Sequence, residues 1–443
     1  MKISTTQASG APSAPITTSG MGGLASGGTP LWLPLPFLLT GALGATLFGV
    51  LLPIVAPDAL LAPGYPHVLA LVHIATLGWL TMTIMGASLQ LAPVILVNPL
   101  RAARFGAAQY PLYLTGVALL VSGFWFSRVT LLIVGGSLVV VAVAHYAVIM
   151  GVTIAHATVR PLTARYLVAS VSYLCVVVSL GLTAALNFQF GFLGAGVTRL
   201  LLTHITLGLV GWLTTTLMGV SYTLTRMFAL VHGHADTTGS RIFILLNVGV
   251  LGLALGFSLE WGWLTALAGA SLVAAVWLFA WDYRQMLSIR KRKPLDVTQR
   301  HGIAAVGYLA VVAPAGVVAA LLGVGRPATL AALLLTALVG WLGQSIFGYL
   351  YKIVPFLIWQ SRYAPLVGKA KVPLMRDLVE QRVAKLSFWL INLGLPATVV
   401  CLLLAWPTPL RVAASALGLG LALAAANVWG VMRPRVAAQA HAA

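Results

Sequence analysis

Histidine has the widest chemical reach of the residue types in this sequence. There are nine histidines in 443 residues, against seven carboxylates and two cysteines. A neutral imidazole can ligate a metal through either ring nitrogen, and can do so without carrying charge into an apolar medium. Position sorts the nine. His441 falls in the C-terminal tail, and His156 and His301 fall at the ends of apolar runs, where anchoring at a water boundary accounts for them. His67 lies at the mouth of a run. His145 stands deep in a run without a second histidine at ligand spacing, which predicts a hydrogen-bonded core residue. His232 and His234, beside Asp236, form a His-x-His with one acid in a polar loop. Such a set can hold a metal, although solvated loop histidines are the commoner case. That leaves His73 and His204, each one to two turns inside a long apolar run. An ionisable residue within such a run is a functional candidate by default.

The carboxylates say what chemistry is missing. Asp58 and Glu260 fall in loops, Asp236, Asp296, Asp377 and Glu380 flank runs, and Asp282 caps the end of one. None is placed at the middle of a run, which counts against proton pumping and, more mildly, against proton-coupled transport. Cys175 and Cys401 each sit in an apolar run and read as packed free thiols. No Cys-x-x-Cys-His is present, so a covalently attached c-type haem is excluded. Nothing matches a phosphate loop, a dinucleotide fingerprint or a nucleophile–base pair.

The elements that position the two histidines are set by a repeat. Gly78-Trp79-Leu80 through Gly86 returns as Gly211-Trp212-Leu213 through Gly219, and again as Gly340-Trp341-Leu342 through Gly348. Pro93, Arg226 and Pro355 follow the tryptophans at the same offset. The period is close to 130 residues, and self-similarity at a fixed period governs architecture. With 60% hydrophobic and 7% charged residues, the solvent is a lipid bilayer. Twelve runs can cross ~30 Å of hydrocarbon. They span roughly 31–56, 66–97, 107–126, 129–156, 163–187, 198–226, 240–259, 262–284, 301–323, 327–357, 385–406 and 409–432. Each repeat (31–156, 163–284, 301–432) holds four, and the Gly-Trp-Leu run is always second. Residues 31–432 thus read as one membrane domain between tails at 1–30, expected to be disordered, and 433–443.

Charge predicts the orientation. Of 26 Lys and Arg, all but Arg128, Arg199, Arg326 and Arg411 fall in the tails and in the segments after even-numbered spans. That bias puts both termini in the cytoplasm, in the inner membrane if the source is bacterial. The net charge of +19, including Arg290-Lys291-Arg292-Lys293, then faces anionic lipid, and nucleic acid has nothing beyond charge to recommend it. The segment 373–382 has helical apolar spacing and reads as a short interfacial helix. An even number of spans per repeat keeps every copy in one orientation, so the copies must be related by rotation about the membrane normal. Inverted repeats follow a different plan.

At this point the chain resembles the twelve-helix catalytic subunit of the haem–copper oxidase superfamily, on its repeat arithmetic and on the Gly-Trp/Gly/Pro pattern of spans 2, 6 and 10. The stretch His73-Ile74-Ala75-Thr76-Leu77-Gly78-Trp79 is similar to the family's haem-ligand helices. Locally, Arg226-Met227-Phe228-Ala229-Leu230-Val231-His232-Gly233-His234 is also similar to NnrS-type membrane haem and copper proteins linked to nitric oxide stress. The resemblance implies an all-α fold of three four-helix arcs around a pseudo-three-fold axis, with three pores between arcs. The departures are specific. The family's span 10 carries His-x-His, and here the matching registers hold Leu333 and Leu335. Span 7 has no histidine for a copper site, so oxygen reduction by the family's mechanism is excluded and an enzymatic role is not expected.

What survives is one pair. His73 stands six residues before Trp79 and His204 eight before Trp212. Two residues of offset rotate a side chain by about 200° on an α-helix. Carried round a three-fold ring, His73 looks toward span 6 and His204 toward span 2, converging on the pore between repeats 1 and 2. Two imidazoles at matching depth are what an axially ligated b-type haem requires. Copper alone, or plain hydrogen bonds to neighbours, remain the alternatives. Thr76 and Thr203 are placed to satisfy the spare ring nitrogens, and Arg199 and Arg128 to meet haem propionates. The resulting expectation is a membrane protein with one haem, serving electron transfer or a nitric oxide- or oxygen-related role. An extracytoplasmic electron-transfer protein or a respiratory subunit would be its partner. The rival from another class is a haem-free transporter or channel, or a protein that handles haem or copper.

Overall fold

The computed structural model describes residues 29–62 and 64–435. Most of the two predicted tails, 1–28 and 436–443, lies outside the described residues. Twelve helices are long and apolar enough to cross a membrane: α1 Pro34–Val55, α2 Pro66–Leu96, α3 Arg104–Trp125, α4 Val129–Ala155, α5 Leu162–Phe190 and α6 Gly196–Ala229, then α7 Thr237–Leu259, α8 Gly262–Ser288, α9 Val297–Leu321, α10 Pro327–Leu366, α11 Gln381–Leu403 and α12 Pro407–Gly430. No strand occurs among the described residues. Cys175 and Cys401 are free thiols, as expected.

Two expectations are corrected. Span 10 continues past Pro355 to Leu366, because flanking helices bury its apolar turns and a proline is tolerated where neighbours satisfy the freed backbone. The segment 373–382 is not an interfacial helix. Only Met375–Leu378 forms a tight turn, and Leu378 and Val379 are buried in the protein. The backbone of Glu380 exchanges two hydrogen bonds of 3.0 Å with the Asn427 side chain on α12, which pins the segment inward.

Helices α2, α6 and α10 form the centre. In their most apolar stretches 67, 56 and 72% of residues are buried, against at most 50% in any other helix. Around them the packing runs in order. The third and fourth helices of each unit pair closely, and the fourth packs on the first of the next: α4 on α5, α8 on α9, and α12 on α1. The last contact closes the ring through Gly49 and Gly418. A Cβ on Gly418 would stand 2.1 Å from the Gly49 carbonyl oxygen, so only glycine permits that approach.

Each central helix changes its winding at the same place. Ile74–Thr81, Leu207–Thr214 and Thr336–Gly343 are π-helical, starting five residues before the tryptophan and ending two after it. Thr214 and Thr215 donate their hydroxyls to the carbonyls of Leu209 and Val210, five residues back, as a widened turn requires. Such widened turns concentrate at functional sites.

The tryptophans meet head to tail at the centre. Trp212 Nε1 donates to Thr81 Oγ1 at 2.9 Å, and Trp341 Nε1 donates to Thr214 Oγ1 at 3.1 Å. The third link is different. Gly343 stands at the register of Thr81 and Thr214, and Trp79 packs against it. A Cβ on Gly343 would lie 2.5 Å from Trp79 Cη2, and Trp79 Nε1 is buried without a partner.

Candidate functional site

Both candidate histidines precede the π-helical segments, so their relative rotation is that of ordinary α-helix. His73 presents its ring to α3, stacked on Phe124 with centroids 4.8 Å apart and planes at 28°. His204 presents its ring to α5, where a Cβ on Gly181 would lie 3.1 Å from its Cε1. Both are half-buried. Each leans on a helix of its own unit, one on either side of the α4–α5 seam, and not directly on the opposite central helix.

Hydrogen bonding treats the rings alike. His73 Nδ1 meets the Leu69 carbonyl at 2.8 Å, and His204 Nδ1 meets the Val177 carbonyl at 3.1 Å. A carbonyl only accepts, so each Nδ1 carries the proton and each Nε2 carries a lone pair. Neither Nε2 has a hydrogen-bond partner among the described residues. This is the arrangement by which backbone carbonyls orient metal-ligating histidines. The expected threonine partners are spent elsewhere. Thr76 donates to Val72 O, and Thr203 donates to Arg199 O and meets Ser258 Oγ.

The nearest glycines are flanked by apolar side chains. A Cβ on Gly78, five residues after His73, would meet Val117 at 3.9 Å. A Cβ on Gly208, four residues after His204, would meet Val177 at 3.7 Å. Two neutral imidazoles with free Nε2 lone pairs are a donor set that suits a haem iron.

The arginines divide. Arg199 is exposed and 3.6 Å from Glu260, so its guanidinium already has a carboxylate partner. Arg128, exposed at the start of α4, has a side chain without a hydrogen bond or ion pair.

The loop pair is not assembled into a metal site. Asp236 is taken by Arg226 in a short ion pair, and His234 turns away from it to place Nε2 3.0 Å from Asp282. His232 is exposed. Among the described residues no group of three or more His, Cys, Asp or Glu side chains stands at metal-holding distance. Asp282 itself is buried in α8 and also accepts from the Tyr222 hydroxyl at 3.0 Å. Sequence position had placed it at a helix end, and nothing local signals the inward turn of the loop that covers it.

Two more histidines depart from expectation. His145 is stacked on Phe105 at 5.6 Å, and its Nδ1 is buried without a partner rather than hydrogen-bonded. His301 is fully buried, not an interfacial anchor. At the mouth of α2, His67 lies 3.6 Å from Asp58 and packs on Trp125.

Between the three central helices, beyond the tryptophans, lies a small apolar chamber of about 40 Å³ lined by Thr83, Ala87, Thr216, Val220, Ile346 and Ile353 among others. The hydroxyls of Thr83 and Thr216 are turned back onto the carbonyls of Trp79 and Trp212, so methyl groups face the space. No protein-family model matches this chain, and no curated protein matches it.

Proposed function

We propose that this protein is a divergent relative of the haem–copper oxidase catalytic subunit that holds one b-type haem between its first two four-helix units. His73 and His204 would hold its iron, and the role would be electron transfer. The single observation that carries the reading is the matched pair of imidazoles, each donating its Nδ1 proton to a backbone carbonyl and each with an open Nε2. The ring-closing contacts of α12 on α1 and the three π-helical segments at one register support a pseudo-three-fold arrangement of the units.

If a b-type haem is held there it would supply one-electron chemistry, and ligation by two histidines would favour electron transfer over gas binding. The residues of the chain do the rest. The Leu69 and Val177 carbonyls fix ring orientation and raise ligand basicity, Phe124 holds the plane of His73, and Gly181 lets α5 close over His204. Arg128, whose guanidinium is uncommitted, is the better placed of the two arginines for a propionate.

The face carrying the loops after even-numbered helices is the cytoplasmic one in this reading, because it collects the Lys and Arg. A reporter fused after Ala443 then reads as cytoplasmic and one inserted near Gly64 as exported. The deciding experiment is the absorbance spectrum of the purified chain. A sharp low-spin spectrum at close to one haem per chain is the expected result, and a colourless protein rejects the assignment. A second reading, passage of an apolar species, draws on the axial chamber, whose lining offers nothing to solvate an ion.

A further inference from the structure

Several of the polar atoms buried without a partner among the described residues stand together near the start of α9. At the start of α9 these are Thr298 Oγ1, Gln299 Nε2 and His301 Nε2, and Thr225 Oγ1 on α6 is another. They are contiguous. Gly348 of α10 packs so closely that a Cβ there would lie 3.0 Å from His301 Cβ and 3.1 Å from Thr298 O. Tyr283 of α8 puts its hydroxyl into the space left by Gly302, where a Cβ would approach it to 2.2 Å, and lies beside Thr225. At the basic face the cluster begins with Asp296, whose carboxylate is 2.7 Å from the Lys352 ammonium and 3.9 Å from Arg292, all partly exposed.

The bonding fixes the protonation of His301. Gln344 Nε2 donates to Asn392 Oδ1 at 2.8 Å, and Asn392 Nδ2 donates to Phe388 O at 2.8 Å. Gln344 therefore turns its oxygen to His301 Nδ1, which must be the protonated nitrogen. His301 Nε2 is then a fully buried acceptor with nothing to accept from. Gln299 Nε2 is a buried donor, and the two threonine hydroxyls are both donor and acceptor. A buried polar group left unpaired is destabilising, because it has given up its bonds to water. Water satisfies donors and acceptors together, and one buried water typically makes about three hydrogen bonds.

We propose that Thr225, Tyr283, Thr298, Gln299 and His301 hold a short file of water molecules leading from the Asp296–Lys352 pair to the His301 imidazole, and that Nε2 accepts a proton delivered along it. The proton comes from the aqueous phase at the basic face. Each water in the file passes one on and receives one, and the Nδ1–H bond to Gln344 is kept as the imidazolium forms. The groups facing the ring are Gln344 and Tyr351 of α10 and Phe388 of α11, with Asn392 bonded behind Gln344 and Tyr283 of α8 against the neighbouring Gly302. The charges at the open end are Asp296, Lys352 and Arg292. This site makes no use of the haem assignment.

Brief X-ray irradiation of the purified full chain produces hydroxyl radicals from bound water, and mass spectrometry reads the labelled residues. Tyr283 and Tyr351, both buried, are expected to label several-fold faster than buried Tyr113, whose hydroxyl is bonded to the Leu77 carbonyl. Thr298→Val should bring that labelling down, and His301→Phe should bring it to the Tyr113 level. Protection of Tyr283 and Tyr351 equal to that of Tyr113 overturns the water file. Infrared spectra of the protein with isotopically labelled histidine rings, taken through a pH step, test the second half. An imidazolium band present in the wild type, retained in His145→Ala and lost in His301→Phe, is expected. Labelling without that band overturns proton acceptance.

Discussion

The contact of α6 with α2 and the contact of α2 with α10 start from the same sequence unit and end in different chemistry. Where α6 meets α2, Trp212 is bonded to Thr81, and histidines stand six and eight residues before the tryptophans. Where α2 meets α10, the hydroxyl is replaced by Gly343, Trp79 is left without a partner, and the registers of the histidines hold Leu333 and Leu335. The third unit has exchanged polar links for closer packing, since Gly343 lets the Trp79 ring and α10 come together. The third copy of the motif thus lacks both the hydroxyl and the histidines, and its helix still packs at the centre.

The largest effect expected from breaking this contrast is spectral. His73→Ala and His204→Ala should each abolish the haem absorbance, whereas His145→Ala should leave it intact. Retention of the full spectrum in either of the first two variants removes the ligand assignment.

Next in size is Gly343→Val. Its Cβ would meet the Trp79 ring at 2.5 Å and the Leu338 carbonyl at 3.1 Å, so the two central helices must part. Overpacking of a filled core costs about 1–3 kcal/mol and occasionally more, and this site belongs at the upper end. Unfolding by heat or by a denaturing detergent checks it. A variant as stable as the parent would show that the α2–α10 contact is loose.

Thr81→Val and Thr214→Val should cost less, because each leaves a tryptophan in the condition Trp79 already tolerates. Hydrogen bonds between membrane helices contribute about 0.6–2 kcal/mol. Equal losses at the two positions would support a common geometry for the two links, and a loss at only one would break it.

The twelve spans and the register of the tryptophans were legible because hydropathy and the spacing of a motif are local properties of the chain. The pairing of Trp212 with Thr81 was not, since it joins residues 131 positions apart. The π-helical turns left no sign in a pattern read at 3.6 residues per turn. Hydropathy also placed His301 and Asp282 at helix ends, whereas long neighbouring helices and the folded-back loop at His234 bury both. For the candidate pair, depth and register were readable. The partners of each Nδ1 were not, because His204 bonds to another helix and any carbonyl can serve.

The smallest expected effect separates the two arginines. Arg199 is 45% exposed and its partner Glu260 is 70% exposed, and ion pairs in such surroundings contribute about 0–1 kcal/mol. Arg199→Gln should therefore change stability by less than the error of most unfolding measurements. If Arg128 meets a propionate, Arg128→Gln should shift the haem midpoint potential, because removing a cation beside a carboxylate favours the oxidised, more positive iron. The expected direction is a lower potential for Arg128→Gln and little change for Arg199→Gln. The reverse order would mean that Arg199 leaves Glu260 when the cofactor binds, and that the propionates emerge beside α6 instead of α4.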